Sequence, residues 1–505
     1  MRIECLKDEY WYGGCVKSGT KMPLSSESNF TVDTRINSTP NQAMPFFVST
    51  KGRYIYKKEG FEITFKDGVI EMTDGCFVSE AYGDLKTGYK KAMEKEFPFK
   101  EGTPDPELFK NPIYNTWIEL TFNQNEADIL RYAQGILDNG MPPGVIMIDD
   151  GWSEDYGNWT FHTGKFPNPD KMIKKLHGDG FKVMLWVCPF ITADTVMFRD
   201  ALAKDILIKD STGETYILHW WNGYSAVLDM SNPDAVKWLK DKLDALMEMG
   251  VDGFKFDAGD SFFYTEDNVT YKNTTPNEQS EYWSEFGKQY RFNEYRVTYG
   301  EGGAPLLQRL CDKQHSWNTE GVGGLIPDSL LQGITGHPFS CPDMIGGGEY
   351  VNFHEALKER LDEELFIRHC EIACLMPAMQ FSAAPYRLLT KDNFKKIMAC
   401  VELRSRHIDY IMDLIGEAGK TGEPVIRYMS YEFPNDHAEK VIDQFMLGEK
   451  LLVAPVYEKG QKGREVFLPK GKWLRNGEEI TGNGEKIWIE QGEDPLILFE
   501  RQRTI

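Results

Sequence analysis

From about residue 112 onward, short apolar runs alternate with amphipathic stretches of helical period, and this rhythm constrains the fold more than any other feature. Tyr114 to Phe122 reads as a strand. Asn123 or Asn125 is placed to cap a helix running to about Asp138, and Gly140 stops it. Gly144 to Ile148 is a buried strand ending in Asp149-Asp150-Gly151-Trp152. Asn168-Pro169-Asp170 opens a second helix, with Pro at the first helical position and an acid in the first turn. The strand Lys182 to Phe190 follows. Ser231-Asn232-Pro233-Asp234 opens a third helix, whose apolar stripe is Val236, Leu239, Leu243, Leu246 and Met247. Gly250 closes it, and a strand through Asp257 comes next. Such alternation implies a parallel sheet. About 300 residues of it fit a (β/α)8 TIM barrel with insertions. An open doubly wound sheet is the runner-up, but no Gly-rich phosphate loop follows the first strand.

Both flanks read as β structure. Phe61 to Phe65 and Val69 to Met72 alternate around Asp67-Gly68, a two-residue hairpin signal, and Ala43 to Lys58 holds another pair around Lys51-Gly52. Leu451 to Val456, Arg464 to Pro469, Ile487 to Ile489 and Leu496 to Phe499 are strand-like runs parted by Gly and Lys turns. The expected division is an N-terminal β-sandwich-like domain over 1–104, the barrel over 105–415 and a C-terminal β domain over 416–505.

Charge narrows the partners. The chain carries 57 basic and 78 acidic side chains, a net charge of −21, which argues against nucleic acid and anionic membrane. Met1 to Asp8 lacks a signal-peptide pattern, and no apolar run reaches the length of a membrane span. The nine Cys are scattered without C-x-x-C spacing, several of them in apolar strands (Cys188, Cys341, Cys374). They read as buried free thiols in a reducing compartment. A cytoplasmic location is expected, with no metal and no cofactor. Aromatic residues, 12 Trp among them, gather near strand ends, which suits stacking on sugar faces as well as core packing.

Polar residues recur where the apolar runs end: Asp149 and Asp150, Trp186, Asp257, Asp343. On a barrel these ends share one face. Along Asp252 to Asp260, Lys255 and Asp257 point one way and Phe254 and Phe256 the other. An ionised Asp257 at a strand end suits a glycosidase nucleophile; an ion pair buried in the core is the plain alternative. Its partner would be a second carboxyl able to donate a proton. Asp260, Glu301, Asp312, Glu320, Asp328 and Asp343 are the candidates, and spacing does not choose among them.

An ordered set of motifs covers nearly the whole chain: Tyr10 to Gly14, Pro45 to Tyr54, Met147 to Trp152, Leu185 to Phe190, Gly253 to Asp257, Gly336 to Gly347 and Leu451 to Val456. In these motifs the chain resembles glycoside hydrolase family 31, the retaining α-glycosidases. Trp11 to Gly14, Trp220 to Gly223, Cys341 to Ile345 and Met376 to Ser382 resemble its branch of myogenesis-regulating glycosidases and their bacterial relatives, which implies an α-galactosidase. The wider family implies α-glucosidases, α-xylosidases, sulfoquinovosidases and transglycosidases.

The resemblance implies Asp257 as nucleophile and Asp312, five residues before Trp317, as acid/base, with Glu320 in reserve. The family's usual Trp-x-Gly-Asp form is absent, because Leu310-Cys311 precede the Asp. Asp149 and Asp150 stand where the family binds sugar hydroxyls, and strand alternation lets only one of them point fully inward. Trp186 and Trp221 are candidate aromatic walls. Lys255 is expected to support the nucleophile, and Arg296 to lie on the substrate side or on a surface strand. Asp343 is expected to brace the turn at Gly346-Gly347. Tyr156 to Lys165 contains no Arg to hold a sulfonate, which argues against a sulfonated sugar. The expected partner is a small glycoside or oligosaccharide, with a homo-oligomer as an open alternative. A non-catalytic sugar-binding protein on the same scaffold is the competing reading. A metal-dependent barrel hydrolase lacks the His clusters it would need.

Overall fold

Among the described residues, nine parallel strand segments share one sheet, and two of them are halves of a single strand, so the sheet has eight strands. These segments come from a computed structural model that describes residues 1–353 and 360–502. In chain order the strands are Ile113–Asn115, Val145–Ile148, Lys182–Val187, Gly253–Phe256, Asn293–Tyr295, Leu307–Arg309, the split strand, and Gln380–Phe381. The split strand consists of Ser340–Cys341 and Met344–Ile345, parted by Pro342 and by Asp343 at φ 69°. Pro offers no N–H to a ladder, and a positive φ breaks the pleat. Its first half pairs with the sixth strand and its second half with the eighth, which in turn pairs with the first. The ring is therefore closed, and the open-sheet alternative falls.

The helices between strands follow local rules. Asn125 accepts from the Asp128 N–H to cap Glu126–Asp138. Asn232 does the same for Pro233–Met249, which Gly250 ends at φ 113°. On the fourth strand Phe254 and Phe256 face outward, where Phe256 meets Trp283, Phe286 and Tyr290. That leaves Lys255 to the barrel interior.

Four expectations need correction. The first strand stops at Asn115 instead of Phe122, because the Asn115 Oδ1 accepts from the Trp117 N–H at 2.8 Å and starts the helical turn Trp117–Leu120. The third strand ends at Val187. Phe190–Thr192 begins a separate antiparallel sheet with Gly223–Val227 and Ile217–Trp220, inserted before the fourth strand. The N-terminal region is not all β, since Asp84 caps a helix over Leu85–Lys95. The boundary at 415/416 falls inside the helix Lys391–Thr421, which ends at Gly422 with φ 69°. Arg404 pins that helix to the barrel by donating to the carbonyls of Phe109, Cys374, Met376 and Pro377.

The N-terminal strands form two four-stranded sheets. Phe47 of one meets Phe65 of the other, as in a sandwich. Asp67 (φ 51°) and Gly68 (φ 78°) make the hairpin turn between Glu62–Lys66 and Val69–Met72. After the barrel, a six-stranded sheet and a two-stranded one complete the chain.

Candidate active site

The C-terminal strand ends surround a cavity of about 470 Å³. Asp149, Asp150, Trp186, Trp221, Lys255, Asp257, Arg296 and Asp312, the eight residues singled out in the sequence, all line it. A larger cleft of about 810 Å³ lies between the helix Glu363–Ala373 and the C-terminal domain. There Arg368 already pairs with Glu371, and Gln491 donates to the same carboxylate. That cleft lies off the barrel mouth, whereas the chemistry of such barrels gathers at the C-terminal strand ends.

Asp257 follows the fourth strand and is buried. Its Oδ1 accepts from Arg296 Nε and from the Ala258 N–H, both at 2.8 Å. Its Oδ2 accepts from Trp186 Nε1 at 2.9 Å. Burial alone would raise its pKa. The Arg296 guanidinium, with help from Lys255 and Arg309, overrides burial and holds the carboxyl well below the usual range. Ala258 sits at φ 55°, a backbone cost that directs its N–H at the carboxylate.

Lys255 supports this carboxylate less directly than expected. Its Nζ lies 2.7 Å from Asp149 Oδ2 and 3.9 Å from Asp257 Oδ2. The principal cation is Arg296, which is buried and not on a surface strand. Besides Asp257 it grips Asp260 through both terminal nitrogens, at 2.8 and 2.7 Å. Its guanidinium also lies 5.5 Å from the Trp221 ring centroid. The Trp186 N–H orients Asp257, a role different from the aromatic wall expected of it.

Asp149 and Asp150 both reach the cavity. The second strand ends at Ile148, so pleat alternation no longer separates them. Asp150 Oδ2 accepts from Asn222 Nδ2 at 2.6 Å and from the Tyr156 hydroxyl at 3.1 Å. Its Oδ1 is buried without a protein partner. Burial, and then the charge of Asp149, push the Asp150 carboxyl up to about 7. Asn222 comes from the inserted sheet, where Trp221-Asn222 is the two-residue tip between Trp220 and Gly223.

Of the six candidate partners for Asp257, Asp312 alone shares its cavity. Its side chain is 49% exposed, and its Oδ1 accepts from Arg309 Nη1 at 2.9 Å. The others are engaged elsewhere: Asp260 with Arg296, Glu301 with Lys288, Glu320 with Lys17, Asp328 with Lys313. Asp343 accepts from Arg309 Nη1 at 2.6 Å and from the Lys313 N–H at 2.7 Å, so it braces the segment around Asp312 instead of Gly346-Gly347.

Several contributors were not read from the sequence. Trp117, Phe122 and Tyr350 line the cavity, as does Pro40 from the N-terminal domain. Beside Pro40, Asn41 Oδ1 accepts from the Cys311 N–H at 2.7 Å. Gln42 Nε2 donates to the carbonyls of Arg296 and Arg309, at 2.6 and 2.8 Å. One loop thus braces the neighbours of both carboxylates. Asn41-Gln42 carries no local motif, and only tertiary contact reveals its role. Among the described residues no cluster of His, Cys, Asp and Glu is arranged to hold a metal ion.

A closed parallel barrel whose mouth gathers four aspartates, an arginine and several aromatic rings in one cavity has the make-up of a glycoside hydrolase. The chain belongs to glycoside hydrolase family 31: residues 113–414 match the family's TIM-barrel domain and residues 422–505 its C-terminal domain. It is 32% identical over 410 residues to myogenesis-regulating glycosidase of Mus musculus, covering 77% of this chain and 56% of that protein. It is 25% identical over 496 residues to alpha-xylosidase XylQ of Lactiplantibacillus pentosus, covering 92% and 63%. The chain thus spans less than two thirds of these relatives. A family 31 sulfoquinovosidase from E. rectale, solved with an aza-sugar inhibitor, superposes with TM-score 0.84 at 21% identity, covering 100% of this chain and 82% of that one. The dextranase FjDex31A of Flavobacterium johnsoniae, complexed with glucose, gives 0.83 at 21% identity, covering 99% and 66%. At these identities the two structures show the shared fold.

Proposed function

We propose that the protein is a retaining, exo-acting α-glycosidase that removes a terminal α-linked hexose by double displacement. Asp257 attacks the anomeric carbon. The bond from that carbon to the glycosidic oxygen breaks, a bond to an Asp257 oxygen forms, and Asp312 gives its proton to the departing oxygen. A β-linked glycosyl-enzyme results. Asp312 then takes a proton from water as the water oxygen bonds to the anomeric carbon, and Asp257 is released.

One observation carries this reading: Asp257 is buried at a strand end, yet Arg296, Trp186 and the Ala258 N–H together bind both its oxygens and favour the carboxylate. A nucleophile must be both ionised and oriented. The buried polar groups of Asp149, Asp150 and Lys255 suit the hydroxyls of a terminal ring, which supports exo action.

An α-galactoside is the proposed substrate. It rests on the likeness of Trp220 to Gly223, Cys341 to Ile345 and Met376 to Ser382 to the α-galactosidase-like branch. An α-glucoside is the second reading, favoured by 25% identity over 410 residues to alpha-glucosidase 2 of Bacillus thermoamyloliquefaciens.

The Asp257→Ala variant is expected to lose hydrolysis of p-nitrophenyl α-galactoside by about 10³-fold or more. Added azide should restore turnover by attacking from the side vacated by Asp257, giving β-galactosyl azide. Undiminished hydrolysis in that variant refutes the mechanism. A wild-type protein that binds sugars and cleaves none is the non-catalytic alternative. Preference for the glucoside overturns the substrate and spares the mechanism.

A further inference from the structure

Of the 12 Trp, two are more than half exposed. One is Trp221 in the catalytic cavity; the other is Trp488, 57% exposed, in the C-terminal domain. Trp488 lies on Glu485–Glu490, which pairs antiparallel with Gly463–Leu468 in the two-stranded sheet. Alternation sends Ile489 into the core of that domain and leaves Lys486, Trp488 and Glu490 on the open face. Glu465 stands directly opposite Trp488 on the same face. The indole is thus a flat apolar platform, held by a strand ladder and bordered by charged side chains.

Trp488 does not stand on open surface. With Tyr457 and Arg464 it lines a hollow of about 360 Å³. The cleft of about 810 Å³ beside the helix Glu363–Ala373 adjoins it, because Gln461 lines both, so the two make one groove. Each has the size of a small-molecule site, about 300–1,000 Å³. Neither shares a lining residue with the catalytic cavity.

The groove is fixed before any ligand arrives. Lys459 Nζ lies 2.7 Å from Asp362 Oδ2. The Gly460 N–H donates to Glu364 Oε1 at 2.8 Å, and Arg368 Nη2 donates to the Gln461 carbonyl at 2.8 Å. Three successive residues of the C-terminal domain are therefore clamped to one barrel helix and its cap. Arg368 Nη1 also donates to Glu371 Oε2 at 2.9 Å and to Gln491 Oε1 at 2.6 Å, which sets the wall of the cleft. A preformed groove loses little freedom on binding.

Its chemistry selects the ligand. Cations and carboxylates stand side by side along it: Arg368 with Glu371 at 2.9 Å, Arg464 with Asp443 at 2.6 Å. A chain of like charges would meet repulsion as well as attraction there. A hydroxyl both donates and accepts, so a polyol satisfies both kinds of group. A pyranose adds an apolar face that an indole can cover.

We propose that this groove is a second carbohydrate site, which binds a neutral oligosaccharide chain with one pyranose stacked on Trp488 and the next rings in the polar cleft. The proposal rests on the glycoside hydrolase class and not on the sugar or the mechanism proposed above. A glycan held there stays near the barrel while the catalytic cavity takes its ends, which raises the local concentration of substrate.

The test is retardation of the protein in native gels cast with galactomannan or with dextran, which yields a dissociation constant. Trp488→Ala is expected to weaken binding about ten-fold. Trp488→Phe keeps a ring and should stay within about three-fold of wild type. Lys462→Ala, in the cleft, should weaken binding about three-fold. Unchanged melting temperatures report that the variants have folded, and kcat/KM for p-nitrophenyl α-galactoside should match wild type in each. A wild type retarded by neither polysaccharide overturns the proposal, as does retardation that Trp488→Ala leaves unchanged. Wild-type affinity in Lys462→Ala overturns the extension into the cleft. Retardation by dextran sulfate alone overturns the neutral-sugar assignment. A protein that hydrolyses no aryl α-glycoside, yet loses its retardation in Trp488→Ala, overturns the proposed function and supports the second site.

Discussion

Replacing Arg296 separates a nucleophile from a structural ion pair. In the folded protein its Nε is 2.8 Å from Asp257 Oδ1, and its terminal nitrogens hold Asp260 at 2.8 and 2.7 Å. Arg296→Met removes one charge-assisted hydrogen bond from Asp257, worth about 1.5–3 kcal/mol. At 1.36 kcal/mol per pH unit, the Asp257 pKa rises by about 1–2 units. Loss of the Arg296 charge also removes the largest attraction that opposes burial, and the two losses together carry the carboxyl up into the range above about pH 3. In the wild type this carboxyl lies below its unfolded value of about 3.9. Its stabilising contribution is therefore complete above that pH and lost as pH falls towards the folded value. The acid limb of kcat/KM, measured from pH 3 to 8 on an aryl α-glycoside, should move upward in the variant. Asp260 is left buried and unpaired, so the variant should also lose about 3–5 kcal/mol of stability near neutral pH. That deficit should shrink on acidification, because a protonated Asp260 is cheaper to bury. Arg296→Lys keeps the charge without the bidentate fork and should fall between the two. An unmoved acid limb in a folded Arg296→Met variant would refute the argument that Arg296 holds the reacting carboxylate ionised.

Two further outcomes follow from the site. Burial raises Asp150 to about 7 while the unfolded group ionises near 3.9, so the wild type loses stability as pH climbs between these values. Asp150→Asn removes that loss, and its melting temperature should gain on the wild type across this window; a difference flat with pH would contradict it. Gly348→Ala places a Cβ 2.5 Å from the Asp312 Cβ and must displace that side chain. It should lower kcat by about 10²-fold with little change in KM for the aryl glycoside, and wild-type kcat would show that the position of Asp312 is immaterial.

Much of the fold was legible because it is written in local terms. Caps at Asn125 and Asn232, the stop at Gly250 and the turn at Asp67-Gly68 stand where the side chains and φ angles require them. Where the reading failed, a contact distant in sequence or a side-chain bond had overruled the pattern. Asn115 captured the Trp117 N–H and ended a strand expected to run on to Phe122. Arg404 carried one helix across an expected domain boundary by binding carbonyls nearly 30 and nearly 300 residues away.

The site divides the same way. Periodicity by itself placed Lys255 and Asp257 on the inner face of one strand, because alternation is a property of the strand alone. It could not say that Asp149 would take Lys255, that Arg296 would turn inward to Asp257, or which of six carboxyls would share the cavity. Those facts depend on barrel closure through the broken strand at Pro342-Asp343, and on Pro40, Asn41 and Gln42 reaching in from another domain. The sequence determined the elements and the strand-borne carboxylate, since short-range geometry is encoded residue by residue. Only the tertiary structure decided its partners, since convergence of distant loops is a property of the closed barrel and of no single segment.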